Sequence, residues 1–118
     1  MYEHILYEVE EGVALITLNR PDNFNAFVER MNGELTEAVK KAGKDASVRV
    51  IVLTGSGKAF CSGQDLKEIK DLVGDRNLAE SVERRYNPMI QAIHQCPKPV
   101  ICRMNGVAAG AGCSLALA

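Results

Sequence analysis

A chain of 118 residues that is 47% hydrophobic and 25% charged has room for one folded domain and carries neither a disordered nor a fibrous bias. Its net charge is −1 and its lysines and arginines are scattered, which excludes the basic stripe of a nucleic-acid binder. A phosphate-bearing small molecule stays within reach, because a cation or two is enough to meet it.

Ile5, Tyr7 and Val9 alternate with polar residues, Glu10-Glu11-Gly12 supplies a turn, and Val13 to Leu18 is a nearly continuous apolar run. This predicts a hairpin whose second strand is buried on both faces. Asn19-Arg20-Pro21-Asp22-Asn23 is loop chemistry. The period then changes. Val28, Met31, Leu35, Ala38, Val39 and Ala42 fall at helical offsets, which predicts an amphipathic helix over 26–44. Val50 to Thr54 reads as another buried strand, closed by Gly55-Ser56-Gly57. The loop Cys61 to Asp65 leads into a short helix near 66–73. Leu78, Val82, Tyr86, Ile90 and Ile93 mark a longer helix, interrupted or kinked at Pro88. Pro97-Lys98-Pro99 forbids further helix, Val100-Ile101-Cys102 reads as a third buried strand, and the stretch from Asn105-Gly106 turns into a helix over 111–118. The order β-β-α-β-α-α-β-α belongs to the α/β class with a largely buried sheet. The last helix ends in an apolar run with no cap, so Ala118 is read as a truncation point.

No basic start followed by an apolar core opens the sequence, and Val107 to Ala118 is too short to span a bilayer. The expected address is the cytoplasm, with no membrane partner. Cys61, Cys96, Cys102 and Cys113 form no C-x-x-C pair and are expected as small reduced residues. His4 and His94 are far apart in sequence, and no metal is expected. Arg20 or Lys58 could meet a ligand phosphate.

Two glycine-containing loops each follow a buried strand: Phe60-Cys61-Ser62-Gly63-Gln64-Asp65, and Asn105 through Gly112. Small residues let a ligand approach the backbone, and a loop entering a helix presents unpaired N–H groups. Two such groups converging on one carbonyl oxygen make an oxyanion hole; on spacing alone, a pair of tight turns packed with small residues is the favoured reading of the loops. Gly55-Ser56-Gly57-Lys58 fails as a phosphate loop, since Val52 stands where its first glycine belongs and Ala59 follows the lysine. Gly110-Ala111-Gly112 fails as a dinucleotide fingerprint, since Leu115 replaces the third glycine.

At these loops the sequence resembles the enoyl-CoA hydratase/isomerase (crotonase) family. The residues that carry the resemblance are Leu18-Asn19-Arg20-Pro21 with Asn25-Ala26, then Val50 to Gly55 with Lys58 to Leu66, then Pro97 to Ile101 with Asn105 to Gly112. All three segments stand in the family's order across nearly the whole chain. The resemblance implies a crotonase-like spiral of ββα repeats, truncated, with residues 1–118 as the N-terminal part of one domain and the C-terminal remainder missing. It implies an acyl thioester of coenzyme A as substrate, with no other cofactor, and assembly as a homotrimer or hexamer at full length. The thioester oxygen would be held by the backbone N–H groups of Gln64 and Ala111. Backbone groups around Ser62, Asp65 and Leu66 would hold the adenine end, Phe24 would line the CoA channel, and Ala26 belongs to the same binding loop. The main physical task of Asp65 is expected to be capping the helix that follows it. Since Gln64 would act through its N–H, its side chain is expected to be permissive.

Ser114 stands where the hydratases of the family have a glutamate, and a serine is no strong base unaided. The second acid–base carboxylate would lie beyond Ala118. The run from Asn105 to Leu117 and the segment Tyr86-Asn87-Pro88-Met89-Ile90 more closely resemble the ring-epoxide isomerases of phenylacetyl-CoA degradation. An isomerase is therefore expected before a hydratase, with a CoA-binding piece lacking turnover as the reading from a different class. Acyl selectivity is expected to depend partly on 73–89.

Overall fold

In the computed structural model, which describes residues 2–68 and 78–118, the opening runs pair as the hairpin their alternation predicts. The elements follow as β1 (Ile5–Glu10), β2 (Val13–Leu18), a 3-10 turn (Pro21–Asn23), α1 (Glu29–Lys44), β3 (Val50–Gly55), β4 (Ala59–Cys61), α2 (Leu78–Gln95), β5 (Val100–Cys102), β6 (Val107–Ala108) and α3 (Ala111–Leu117). Taken in threes these are ββα units: β1-β2-α1, β3-β4-α2 and β5-β6-α3. A helical start at 66–68 follows β4, and the rest of the short helix expected over 66–73 lies outside the described residues.

Glu11 and Gly12, at φ 51° and 82°, both take the left-handed conformation that a two-residue hairpin turn needs. Gly12 O then accepts from Arg49 N at 2.7 Å and Val50 N at 3.2 Å, which seats β3 parallel against β2. β5 adds on the far side of β3, also parallel, giving the order β1-β2-β3-β5. β4 and β6 form a separate two-stranded parallel sheet that the sequence pattern did not announce.

The strand expectations hold for one face only. In β2, Ala14, Ile16 and Leu18 are buried, while Val13, Leu15 and Thr17 are half-buried. β5 is an edge strand, so Ile101 in its middle is 53% exposed rather than buried. Met104, Val107 and Leu117 are exposed as well.

α1 starts three residues later than its apolar period suggests. Phe27 is instead extended and pairs with Gln64, taking Gly63 O at 2.6 Å with its own N–H. From there Met31, Leu35, Ala38, Val39 and Ala42 turn a continuous face inward against the sheet and α2. Burying a residue such as Leu35 or Met31 stabilises by about 1.5–3 kcal/mol. Val28 cannot cap this helix, and the Glu68 carboxylate accepts from Glu29 N at 3.0–3.1 Å in its place. At the other end the Lys98 ammonium donates to Ala42 O at 2.8 Å and to Asp45 O, placing a cation where the helix carbonyls point. Glu34 accepts from Glu3 N and His4 N, both at 2.7 Å, and so ties the chain's start to α1. α2 continues unbroken through Pro88, which is exposed.

Candidate active site

Two buried or clipped asparagines build the loops. Asn25, fully buried at φ 57°, accepts from Arg20 N at 2.7 Å and donates to Ser56 O and Ala59 O, both at 2.9 Å. From the opposite side Asn105 accepts from Gly55 N and donates to Gly57 O and Ala59 O, all at 3.0 Å. The turn 55–59 is thereby fixed to both the first loop and the last. Gly106 is required by contact rather than conformation, since a Cβ there would stand 1.9 Å from Lys58 O.

Beyond this frame the two glycine loops meet. Gly63, at φ 105°, lies so close to the second loop that a Cβ on it would be 3.0 Å from Ala109 O and 3.4 Å from Ala111 N. Gly110 opposes it at φ 53°. The pairing of Phe27 with its neighbour uses the amide of Asp65 and the carbonyl of Gly63, which turns the N–H of Gln64 to the opposite side. There, among the described residues, it meets no acceptor. Ala111 N opens α3, whose next amides find Ala109 O and Gly110 O; Ala111 N likewise meets none. Such orphan donors at a helix start are satisfied by a cap, water or a ligand.

A cleft of about 620 Å³ lies over these loops, lined by Phe24, Ala26, Ser62, Gln64, Asp65, Leu66 and Ala111 together with Gly63 and Gly110. Every site residue expected from the sequence is therefore brought to one place. Phe24 (56% exposed) and Leu66 (77% exposed) present apolar surface to it. The amides of Ser62 and Asp65 are already taken, by Phe24 O at 3.0 Å and Phe27 O at 2.8 Å.

Asp65 caps the helical start as expected, accepting from Lys67 N at 2.8 Å and Glu68 N at 3.2 Å. Its other oxygen pairs with Arg20 Nη1 at 3.1 Å, which also donates to Ala26 O at 2.6 Å. Burial pushes the Asp65 carboxyl up, but the two backbone N–H groups and the guanidinium outweigh it and hold the group below its ordinary value. Arg20 is thus committed to the protein and not presented to a ligand phosphate. Lys67, which sequence reasoning passed over, lines the cleft, whereas Lys58 does not. The signal that could have found it is its place two residues after the capping aspartate.

The Gln64 side chain is less free than its expected role implied. Its Nε2 donates to Phe27 O at 3.2 Å and to Glu68 Oε1 at 3.3 Å, and its Oε1 accepts from the Tyr86 hydroxyl. Beneath the cleft, Cys61 is fully buried, and desolvation pushes its thiol up to about 11 against a backbone hydrogen bond from Gly63. It is a packed core residue. Ser114 is exposed on α3 and does not line the cleft. Among the described residues no cluster of His, Cys, Asp and Glu is placed to hold a metal, and no helix is long and apolar enough to cross a membrane.

The ββα units and their facing glycine loops are those of the crotonase fold: a solved enoyl-CoA hydratase/isomerase from Xanthobacter autotrophicus Py2 superposes with a TM-score of 0.90 at 37% identity, over 99% of this chain and 44% of the other. The chain belongs to the enoyl-CoA hydratase/isomerase family, whose sequence profile matches residues 8–118. It is 49% identical over 119 residues to the 1,2-epoxyphenylacetyl-CoA isomerase of Escherichia coli (strain K12), covering 99% of this chain and 45% of that protein. It is 50% identical over 117 residues to a "Probable enoyl-CoA hydratase" of Rhodobacter capsulatus, covering 99% of this chain and 44% of that protein. The chain thus spans less than half the length of the curated relatives it matches.

Proposed function

We propose that this chain carries the acyl-CoA site of an enzyme that works through a thioester enolate, with the N–H groups of Gln64 and Ala111 as its oxyanion hole. The observation that supports the reading is the pair of amides that meet no acceptor among the described residues, one on each glycine loop, at the wall of a single cleft. When a proton leaves the carbon beside the thioester, charge gathers on the carbonyl oxygen, and donors fixed in advance stabilise it without reorganising. In this reading Phe24, Ala26, Ser62, Asp65 and Leu66 receive the CoA moiety. The contacts from Ser62 and Asp65 come from their carbonyls, since their amides are used, and Lys67 supplies a cation for a CoA phosphate. The reading asks for no cofactor besides the CoA thioester as substrate. It places the protein in the cytoplasm, as trimers or pairs of trimers.

Isomerisation is favoured over hydration. Ser114, at the place of the hydratases' glutamate, is no base and stands off the cleft, while Asp65 is held by Arg20. Isomerisation needs a single carboxylate to carry the proton, which this reading assigns to the part of the family domain outside these residues. The 50% identity to the Rhodobacter protein favours hydration as the second reading. The third is a CoA-binding piece without turnover.

The test is deuterium exchange into butyryl-CoA at the carbon beside the thioester, using the intact protein in deuterated water. The expected result is exchange well above the protein-free rate. Binding without exchange would support the CoA-binding piece, and no binding would overturn the acyl-CoA reading.

A further inference from the structure

The Gln64 amide follows a glycine at φ 105°, and the backbone pairing of Gly63 O and Asp65 N with Phe27 sets its plane. The side chain of Gln64 is also fixed at both ends. Its Oε1 accepts from the Tyr86 hydroxyl on α2, and its Nε2 donates to Phe27 O and to the Glu68 carboxylate. The Tyr86 ring stands edge-on to Phe27, with centroids 5.8 Å apart and planes at 80°. Glu68 in turn holds Glu29 N at the start of α1. One amide side chain thus links α2, the 62–65 loop, the helical start after it and the first turn of α1.

We infer that Tyr86 is a positioning residue for the Gln64 N–H: through the Gln64 side chain it reinforces the Phe27 backbone pairing in holding the direction in which that amide meets the thioester oxygen. The inference rests on the oxyanion reading above. A donor aimed within a few degrees stabilises developing charge far better than one free to swing, since hydrogen bonds weaken steeply with misalignment. Tyr86 touches no reacting atom in this scheme. Its effect on the thioester oxygen passes through Gln64.

The experiment compares wild type, Tyr86→Phe, Gln64→Ala and the double variant of the intact protein. The probe is butyryl-CoA isotopically labelled at the thioester carbonyl, read by infrared difference spectroscopy and by exchange kinetics. Tyr86→Phe keeps the ring against Phe27 and removes only the hydroxyl. The expected result is an exchange kcat lowered about three- to tenfold, the range of one lost hydrogen bond, at nearly unchanged KM. The carbonyl frequency of the bound label should move back toward its value in water. In the Gln64→Ala background the same substitution should change neither quantity, because the side chain that transmits it is gone. A purely structural role for Tyr86 would lower melting temperature without moving the carbonyl frequency. If Tyr86→Phe retains the full wild-type shift, or if its effect persists undiminished in Gln64→Ala, the inference is overturned while the oxyanion reading stands. A wild-type protein that leaves the bound carbonyl at its solution frequency overturns both.

Discussion

Gly112→Ala is expected to destabilise the protein by about 3 kcal/mol or more and to abolish measurable affinity for CoA thioesters, by the mechanism of overpacking against backbone. A Cβ at this position would stand 2.2 Å from Cys61 O and 2.7 Å from Cys61 Cβ. Neither atom can step aside cheaply. Cys61 is fully buried within β4, and its carbonyl already accepts from Ala109 N at 3.0 Å. The first turn of α3 must therefore move away from β4, carrying the Ala111 amide with it. Gly33→Ala is the matched control, because Gly33 is exposed inside α1 and a Cβ there meets nothing within 4 Å. It should stabilise by about 0.5–1 kcal/mol through helix propensity. Thermal melts of the two variants, with a butyryl-CoA titration, check both signs at once. A Gly112→Ala protein that melts and binds like wild type would show that the loops do not depend on this approach.

Arg20→Met should be the next most damaging change, costing about 2–4 kcal/mol at neutral pH. The Arg20 and Asp65 side chains are only 15% and 9% exposed, so removing the cation leaves a carboxylate at the cleft wall with two backbone N–H groups but without its guanidinium partner. It also strips Ala26 O of its donor. The pH dependence gives the pair a signature. In the native protein the Asp65 carboxyl is depressed below its ordinary 3.8, so its stabilisation is full above that pH and is lost as pH falls through the lower folded value. The gap between wild type and Arg20→Met should accordingly be widest at neutral pH and should close on acidification through the depressed folded value, below which the carboxylate is protonated in both. A gap that stays constant across this range in denaturant titrations would assign the loss to packing of the arginine stem instead.

Local periodicity carried much of the fold. The hairpin turn, the buried face of α1 and the core of β3 were legible because neighbours along the chain decide them. What failed did so for non-local reasons. β4 and β6 are three and two residues long and exist only by pairing with each other across 48 positions, so Ala59-Phe60-Cys61 looks like loop. Phe27 has helical surroundings in sequence but is held extended by Gln64, which moved the start of α1. Ile101 sits in an apolar run, yet nothing local reveals that β5 is the edge of its sheet.

The site divides in the same way. The two glycine loops were readable, since small residues after a buried strand leave few alternatives, and Ser62, Gln64, Asp65 and Ala111 from them line one cleft. Their partners were not. Arg20 and Asp65 are 45 positions apart, and Tyr86 lies 22 positions from Gln64. An ion pair or a hydrogen bond at such separation leaves no mark on spacing. Spacing leaves Arg20 open to a ligand phosphate and the Gln64 side chain permissive, whereas both side chains are hydrogen-bonded within the frame. Of the segment expected to bear on acyl selectivity, 73–77 lies outside the described residues.

The most direct measurement is the amide spectrum of the intact protein by NMR, titrated with butyryl-CoA and separately with free CoA. The account predicts that the N–H resonances of Gln64 and Ala111 move downfield together with the thioester and stay near their free positions with CoA alone. Saturable binding of butyryl-CoA that shifts Phe24, Leu66 and Lys67 while leaving those two amides unmoved would contradict it.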